Sequence, residues 1–297
     1  MDLAEATRQR PARLAIGVIG PGRVGSVLGA ALERAGHSVV AVAAVSDASR
    51  ARATERLPGA RVATPAEVVA AADLVLATVP DDALAPLMRG LVDTGAAVSG
   101  KLIAHTSGRH GYGVLAPATT AGALPLALHP VMTFTGRAED ATRLANCTFG
   151  VTAPESLRPI AEALVVEMGA EPIWIAEEHR SLYHAALAGG ANHLVTLVSE
   201  SASLLASAGV EQPERMLGPL LSAALDNALR LGINGLSGPV LRGDAETVAE
   251  HIAELRTHAP ESAAGYTALA RLTAVRALAA GLLKPHDAER LLDVLQA

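Results

Sequence analysis

Aromatic side chains are scarce in this chain: two phenylalanines, three tyrosines and one tryptophan among 297 residues. A surface that stacks nucleic-acid bases is therefore excluded, and the core must be built from alanine, leucine and valine. Excess positive charge is lacking too. The formal net charge is −6 and no basic cluster occurs, which argues against a nucleic-acid partner. There is only one cysteine, Cys147. That excludes an intrachain disulfide and any multi-cysteine metal site, and leaves the thiol the role of a small buried hydrophobe. The opening segment, residues 1–12, is polar, without the apolar core of a signal peptide, and reads as a flexible tail. One stretch, Ser181 to Ser199, has no Asp, Glu, Lys or Arg. It carries His184, Asn192, His193 and Thr196, which are costly in lipid, so a helix enclosed by protein is expected there rather than a membrane span. A cytoplasmic location is the expectation.

What is present begins with Ile16-Gly17-Val18-Ile19-Gly20-Pro21-Gly22-Arg23-Val24-Gly25. A short apolar run, Leu14 to Ile19, breaks into Gly20-x-Gly22-x-x-Gly25, and Val24, Val27, Leu28, Ala31 and Leu32 follow at helical spacing. Strand, glycine turn and helix form the context of a dinucleotide fingerprint. Gly20 permits the turn, Gly22 lets the backbone approach a pyrophosphate, and Gly25 allows close helix packing. Unpaired N–H groups at the helix start would face the pyrophosphate.

The helix is expected to end at Gly36, with a second strand over Val39–Val45 leading into Ser46-Asp47-Ala48-Ser49-Arg50-Ala51-Arg52. Hydroxyls and arginines after the second strand suit the 2′-phosphate of NADP, whereas an acidic residue closing the strand would select NAD. Asp47 lies beyond the apolar strand residues and reads as a helix cap, so NADP is favoured over NAD. Further strands are expected at Arg61–Ala63, Asp73–Val79, Lys101–His105, Leu124–Leu128, Cys147–Thr152 and Pro172–Ile175, with a helix over Pro154–Met168. Thr64-Pro65-Ala66-Glu67 opens a helix with proline in its first turn, and Asp81 or Asp82 is the expected cap after Val79-Pro80. Strands alternating with helices indicate an α/β, doubly wound parallel sheet. The candidate cofactor residues are Gly20, Gly22, Arg23, Val24, Gly25, Ser46, Ser49, Arg50, Val79 and Pro80.

Past Trp174 only helical spacing remains, interrupted by glycines and prolines. The first of these helices, His179 to Ala208, would be about 45 Å long. Domains are thus expected at 13–176 (Rossmann) and 177–297 (all-α, for substrate and dimerisation), with substrate in the cleft between them. Ser107 and His129 fall at strand ends, where ligands bind in such sheets. His184 and Asn192 are eight residues apart, on one face of the long helix. A histidine can protonate a carbonyl oxygen as hydride arrives, and an asparagine can hold an oxygen. A satisfied core histidine is the alternative for His184. Ser237 and Arg242 precede helices near the end of the chain. Arg242 could clamp a carboxylate or lie between helices, and Asp244 reads as an N-cap. The histidines show no metal-ligand spacing, His179 and His184 being five apart.

The ordered series Gly20-x-Gly22-x-x-Gly25, Val79-Pro80-Asp81-Asp82, His105-Thr106-Ser107-Gly108, Leu128-His129-Pro130, Leu182-Tyr183-His184-Ala185-Ala186 and Gly238-Pro239-x-x-Arg242-Gly243-Asp244 resembles a Rossmann-like oxidoreductase family. Its helical C-terminal domain long carried only an unknown-function label. The family is grouped with the 6-phosphogluconate dehydrogenase-like proteins, which implies a homodimer through the helical domain. Some members resemble an alternative type of ketopantoate reductase, implying NADPH and a role in pantothenate synthesis. In the better-known ketopantoate reductases a lysine begins the long helix, with asparagines four and eight residues later. Those positions fall here on His184, Ala188 and Asn192. The resemblance implies an NADPH-dependent reductase of a small 2-oxo acid, with His184 as proton donor and Asn192, Ser107 and His129 orienting the substrate. An imine reductase of the pyrroline-carboxylate type is one alternative, and a non-catalytic NADP-binding sensor or scaffold is another.

Overall fold

The computed structural model describes residues 13–296; the expected polar tail, 1–12, lies outside the described residues. The chain begins with β1 (Ala15–Ile19), α1 (Arg23–Arg34), β2 (Ser38–Ala43), α2 (Asp47–Arg56), β3 (Arg61–Val62), α3 (Pro65–Ala71), β4 (Leu74–Ala77) and α4 (Asp81–Asp93). It continues with β5 (Leu102–His105), α5 (Ala116–Thr120), β6 (Leu124–Pro130), α6 (Glu139–Leu144), β7 (Thr148–Thr152), α7 (Arg158–Glu167) and β8 (Glu171–Trp174). After these come only helices: α8 (Arg180–Ser207), α9 (Pro213–Leu231), α10 (Pro239–Arg242), α11 (Ala245–His258), α12 (Pro260–Ala279) and α13 (Pro285–Val294).

The strands form one eight-stranded sheet in the order β3-β2-β1-β4-β5-β6-β7-β8. Apolar runs such as Leu74–Ala77 and Leu102–His105 are buried along their whole length, as expected of strands covered on both faces. One side of the sheet carries a core of Ile16, Leu28, Leu32, Leu74 and Phe149, the other a core of Ile19, Val68, Met88, Ile103 and Leu115. The α/β fold with an all-helical C-terminal region is as the sequence indicates.

Several details differ. The sheet is not wholly parallel, because β7 runs antiparallel to β6. That pairing carries β6 past Leu128 to Pro130 (opposite Phe149) and places His129 opposite Gly150. In contrast β2 stops at Ala43, short of Val45. Ala43 gives its carbonyl to the Gly20 N–H at 2.9 Å, and Val45 beyond it is 92% exposed. The first helix ends before Gly36, and α7 begins at Arg158 after a short turn of 3₁₀-helix. Asp47 is not the cap of α2. Ser46 is, its hydroxyl accepting from the Ser49 N–H, and Asp47 sits in the first turn. Asp81 and Asp82 likewise occupy the first turn of α4, whose capping position is Pro80; there they face the positive end of the helix dipole. The remaining strand and helix ends fall within a residue or two of expectation.

Two local expectations hold. Thr64-Pro65-Ala66-Glu67 opens α3 with proline in its first turn, where the structure adds a reciprocal capping box between Thr64 and Glu67, and the Asp244 side chain caps α11 through the Thr247 N–H at 3.1 Å.

The described residues divide into two compact units on either side of the bond between Gly189 and Gly190, with the division falling inside α8. Within the second unit Val248, Ile252, Ala274, Ala277 and Leu291 form the core. The expectation that the uncharged stretch is enclosed by protein is not met in a single chain. Of the 28 residues of α8 only Arg180 is buried, and Leu182, Leu194, Val195 and Leu197 are exposed. No helix among the described residues is long and apolar enough to cross a membrane.

Candidate active site

The first feature is the glycine elbow at the carboxyl end of β1. Gly20 has φ +85°, a conformation that L side chains resist. Its carbonyl accepts from the Thr78 hydroxyl at 2.6 Å, beyond the end of β4. Gly25 packs against the same threonine, so a Cβ there would strike Thr78 Oγ1 and lie 2.8 Å from the Gly20 oxygen. A Cβ on Gly22 would meet only that oxygen, at 3.9 Å, so the space beside this glycine is open. Gly22 caps α1 without a side-chain hydrogen bond, and the first turn of the helix has no acidic residue. Free N–H groups therefore face open space at the positive end of a helix. They do so where β1 and β4 adjoin and the strand order reverses, which is the ligand crevice of such sheets. The cradle fits the pyrophosphate of a dinucleotide.

Of the other expected cofactor residues, Val79 lies against Gly20, 3.1 Å from its would-be Cβ. Pro80 caps α4 and is exposed. Val24 is partly buried and packs on the core. Ser46 and Ser49 spend their hydroxyls on each other and on the helix cap: Ser49 Oγ donates to the Ser46 carbonyl at 2.7 Å, and Ser46 Oγ to Ser49 Oγ at 3.1 Å. Arg50 holds the fully exposed Asp47 at 3.0 Å. Two further arginines, Arg52 of the expected hydroxyl and arginine group and Arg56 outside it, meet Gly136 beside Arg23. Arg56 donates to the Gly136 carbonyl at 2.9 Å, and a Cβ on Gly136 would lie 3.4 Å from Arg23 and 4.0 Å from Arg52.

The second feature gathers at the carboxyl ends of β5 and β6. His105, fully buried, accepts from the Ser107 N–H on Nδ1 at 3.2 Å. Its Nε2–H donates to the Gly111 carbonyl at 2.9 Å. Burial pushes its pKa down to about 4, so this imidazole is neutral and shapes the turn. Ser107, also buried, accepts from the His110 N–H at 3.1 Å. That turn delivers Gly108 against two further imidazoles. A Cβ on Gly108 would fall 2.5 Å from His184 Cδ2 and 2.9 Å from His129 Nε2. The His129 and His184 rings meet edge to face at 6.1 Å. On its other side His129 Nδ1 shares a hydrogen bond of 2.8 Å with the Tyr183 hydroxyl.

Beneath Tyr183 lies Arg180, 1% exposed. Its Nη1 donates to the Gly150 carbonyl at 3.3 Å, while Nε and Nη2 have no hydrogen-bond partner among the described residues. The guanidinium carbon is 5.6 Å from the tyrosine ring centre. The Tyr183 hydroxyl occupies the space where a Cβ on Gly150 would stand, so this glycine admits the side chain. Glu177 anchors the loop alongside by accepting from the Tyr112 and Gly113 N–H groups at 2.9 Å each.

The structure thus brings together Ser107, His129 and His184 of the expected site, all in the first unit. Tyr183, Arg180 and Gly108 join them. The sequence counts Tyr183 among the few polar residues able to reach a substrate and gives Gly108 no function, and nothing in local spacing marks Arg180 as buried. The other candidates lie in the second unit. Asn192 and Arg242 are exposed, and Ser237 lines a cavity of about 790 Å³ together with His193, His251 and Tyr266.

Acid sensitivity follows from the buried imidazoles. His105 and His129 both titrate at about 4, below the ordinary 6.5, chiefly through burial. Between those values the unfolded chain binds more protons than the folded one, so stability is full above about pH 6.5 and falls as pH drops towards 4. For His105 the loss reaches about 3 kcal/mol. Urea midpoints measured at pH 7 and pH 4.5 should show it, and an unchanged midpoint would contradict this assignment.

Residues 1–130 match a Rossmann-like domain, and residues 147–273 match DUF2520, a domain of unknown function. No curated protein matches the chain. Among solved structures, BF3122 from Bacteroides fragilis, described as an NADP oxidoreductase, is 22% identical with a TM-score of 0.69. That match covers 88% of this chain and 98% of the other. An imine reductase from a Pseudomonas species is 22% identical with a TM-score of 0.63, over 96% of this chain and all of its own. The NADP-bound pyrroline carboxylate reductase of Plasmodium falciparum is 11% identical with a TM-score of 0.55, over 86% of this chain and 95% of its own. At these identities the likeness is one of fold.

Proposed function

We propose that this chain, one of the Rossmann-like proteins that carry a DUF2520 domain, is an NADP-dependent oxidoreductase that reduces a small 2-oxo acid, with ketopantoate as the leading substrate. One observation carries the reading: an open pyrophosphate cradle and a cluster of proton-carrying groups stand at the carboxyl ends of strands in one sheet. Gly20, Gly22 and Gly25 hold the pyrophosphate, and Val79 and Pro80 border the bound nucleotide. Arg23, Ser46, Ser49 and Arg50 are the groups proposed for the 2′-phosphate side, with Arg52 and Arg56 adding positive charge nearby. When bound, the reduced nicotinamide supplies a hydride. The imidazole pair beside Gly108 supplies the proton that must reach the substrate heteroatom. Ser107 is held so that its hydroxyl hydrogen is free to meet a substrate oxygen.

A second substrate class, cyclic imines, is favoured by the fold likeness to imine and pyrroline carboxylate reductases. The proton requirement is the same for C=N as for C=O. The test follows NADPH absorbance with ketopantoate, a panel of 2-oxo acids, and a panel of cyclic imines. Turnover confined to imines moves the substrate to C=N. Tight NADPH binding without turnover of any of them removes the reductase reading and leaves a nucleotide sensor.

A further inference from the structure

Two imidazoles flank Gly108, and they differ in what stands behind them. No hydrogen bond reaches the His184 ring among the described residues, whereas His129 has the Tyr183 hydroxyl on Nδ1 at 2.8 Å. We infer that His129 protonates the substrate atom and that Tyr183 replaces the proton from behind, with Arg180 as the fixed counter-charge for the phenolate this leaves. The inference rests on the reductase reading given above.

The geometry sets the direction of the relay. With the tyrosine O–H donating to Nδ1, the His129 proton is on Nε2. That nitrogen is the one facing the Gly108 turn, where a Cβ would approach it to 2.9 Å. His129 is neutral at physiological pH: burial first, then the Arg180 and His184 charges, bring its pKa down to about 4, and Asp81 opposes them weakly. A neutral imidazole that gives up a proton from Nε2 must gain one on Nδ1, and Tyr183 holds it. Burial raises the Tyr183 pKa while Arg180 lowers it, so the cation works in favour of the ionised phenol. Arg180 is otherwise hard to explain. A buried guanidinium with two unpartnered nitrogens is costly to keep; Glu177 already acts on it as a counter-charge, and it gains a second one when Tyr183 ionises.

The step balances. Hydride adds to the carbon of C=O or C=N, and the π pair moves to the heteroatom. The heteroatom takes the Nε2 proton, whose bonding pair stays on the ring. The Nδ1 lone pair then takes the Tyr183 proton, and the O–H pair remains on the phenolate oxygen. The negative charge brought by the hydride ends beside Arg180, and a solvent proton restores Tyr183 as product leaves. In this scheme His184 walls the substrate rather than protonating it.

The first readout needs no turnover. Nitrogen NMR of the His129 imidazole at pH 7, with NADP⁺ bound and the signal assigned through His129→Gln, is expected to show the Nε2–H form. Tyr183→Phe should turn it into a mixture of both tautomers. An Nδ1–H ring in the wild-type protein overturns the relay. The second readout is single-turnover NADPH oxidation with a substrate that the wild type reduces. Tyr183→Phe should slow it on the order of 100-fold with KM little changed. Placing 3,5-difluorotyrosine at position 183, a fold-preserving change, should move the pH profile to lower pH. A rate unaffected by Tyr183→Phe, or a profile unmoved by fluorination, overturns the relay while the reductase reading stands. No turnover by the wild type with any substrate removes both.

Discussion

Gly25→Val is expected to weaken nucleotide binding by at least about 100-fold, or about 2.7 kcal/mol, and to destabilise the protein by about 1–3 kcal/mol. The cause is steric and local. The new Cβ would strike Thr78 Oγ1 and crowd the Gly20 carbonyl at 2.8 Å. Thr78 cannot retreat without giving up its 2.6 Å hydrogen bond to that carbonyl. Helix α1 must therefore lift away from the turn, and the N–H groups that face the cradle move with it. Gly22→Ala separates binding from folding. A methyl group there enters open space beside a backbone with φ −76°, so stability should hold while the pyrophosphate loses its approach. Nucleotide titration paired with thermal unfolding checks both. Equal binding by wild type and Gly25→Val would place the nucleotide elsewhere.

The second large effect is expected at Gly108. Alanine there should lower turnover on the order of 100-fold, the penalty for misplacing a reacting group by about 1 Å, while NADPH still binds. Its Cβ would sit 2.5 Å from His184 Cδ2 and 2.9 and 3.0 Å from His129 Nε2 and Cε1. Both rings have to swing aside, and His129 cannot do so without disturbing its bond to Tyr183. The imidazoles are only half-buried, so they can rotate without unfolding the core. Kinetics and the melting temperature, measured together, separate this from a folding defect. Undiminished turnover would mean that the Gly108 face is not where substrate lies.

The elbow was legible in the sequence because backbone sterics tie it to residue type. Gly20 needs positive φ, and Gly25 needs contact without a side chain, so the spacing alone announces the geometry. Caps such as Asp244 and helix starts such as Thr64-Pro65-Ala66-Glu67 are legible for a similar reason, since their partners lie close in sequence. The proton-carrying cluster was not readable as a unit. His129 and Tyr183 are 54 residues apart, and they meet because β7 reverses direction and sets Gly150 opposite His129. The apolar strand pattern contains no sign of that reversal. Arg180 is charged and borders a polar turn, so its burial could not be anticipated. Ser46 and Ser49 show the opposite failure. Hydroxyls suited to a phosphate turn out to be engaged in a helix cap, which composition cannot reveal.

The central claim is that the glycine cradle binds a reduced pyridine nucleotide. It is tested most directly by titrating the purified protein with NADPH and following nicotinamide fluorescence, with NADH in parallel. Saturable binding of one NADPH per chain, tighter than NADH and lost in Gly25→Val, is the predicted result. Absence of binding by either nucleotide would contradict the account.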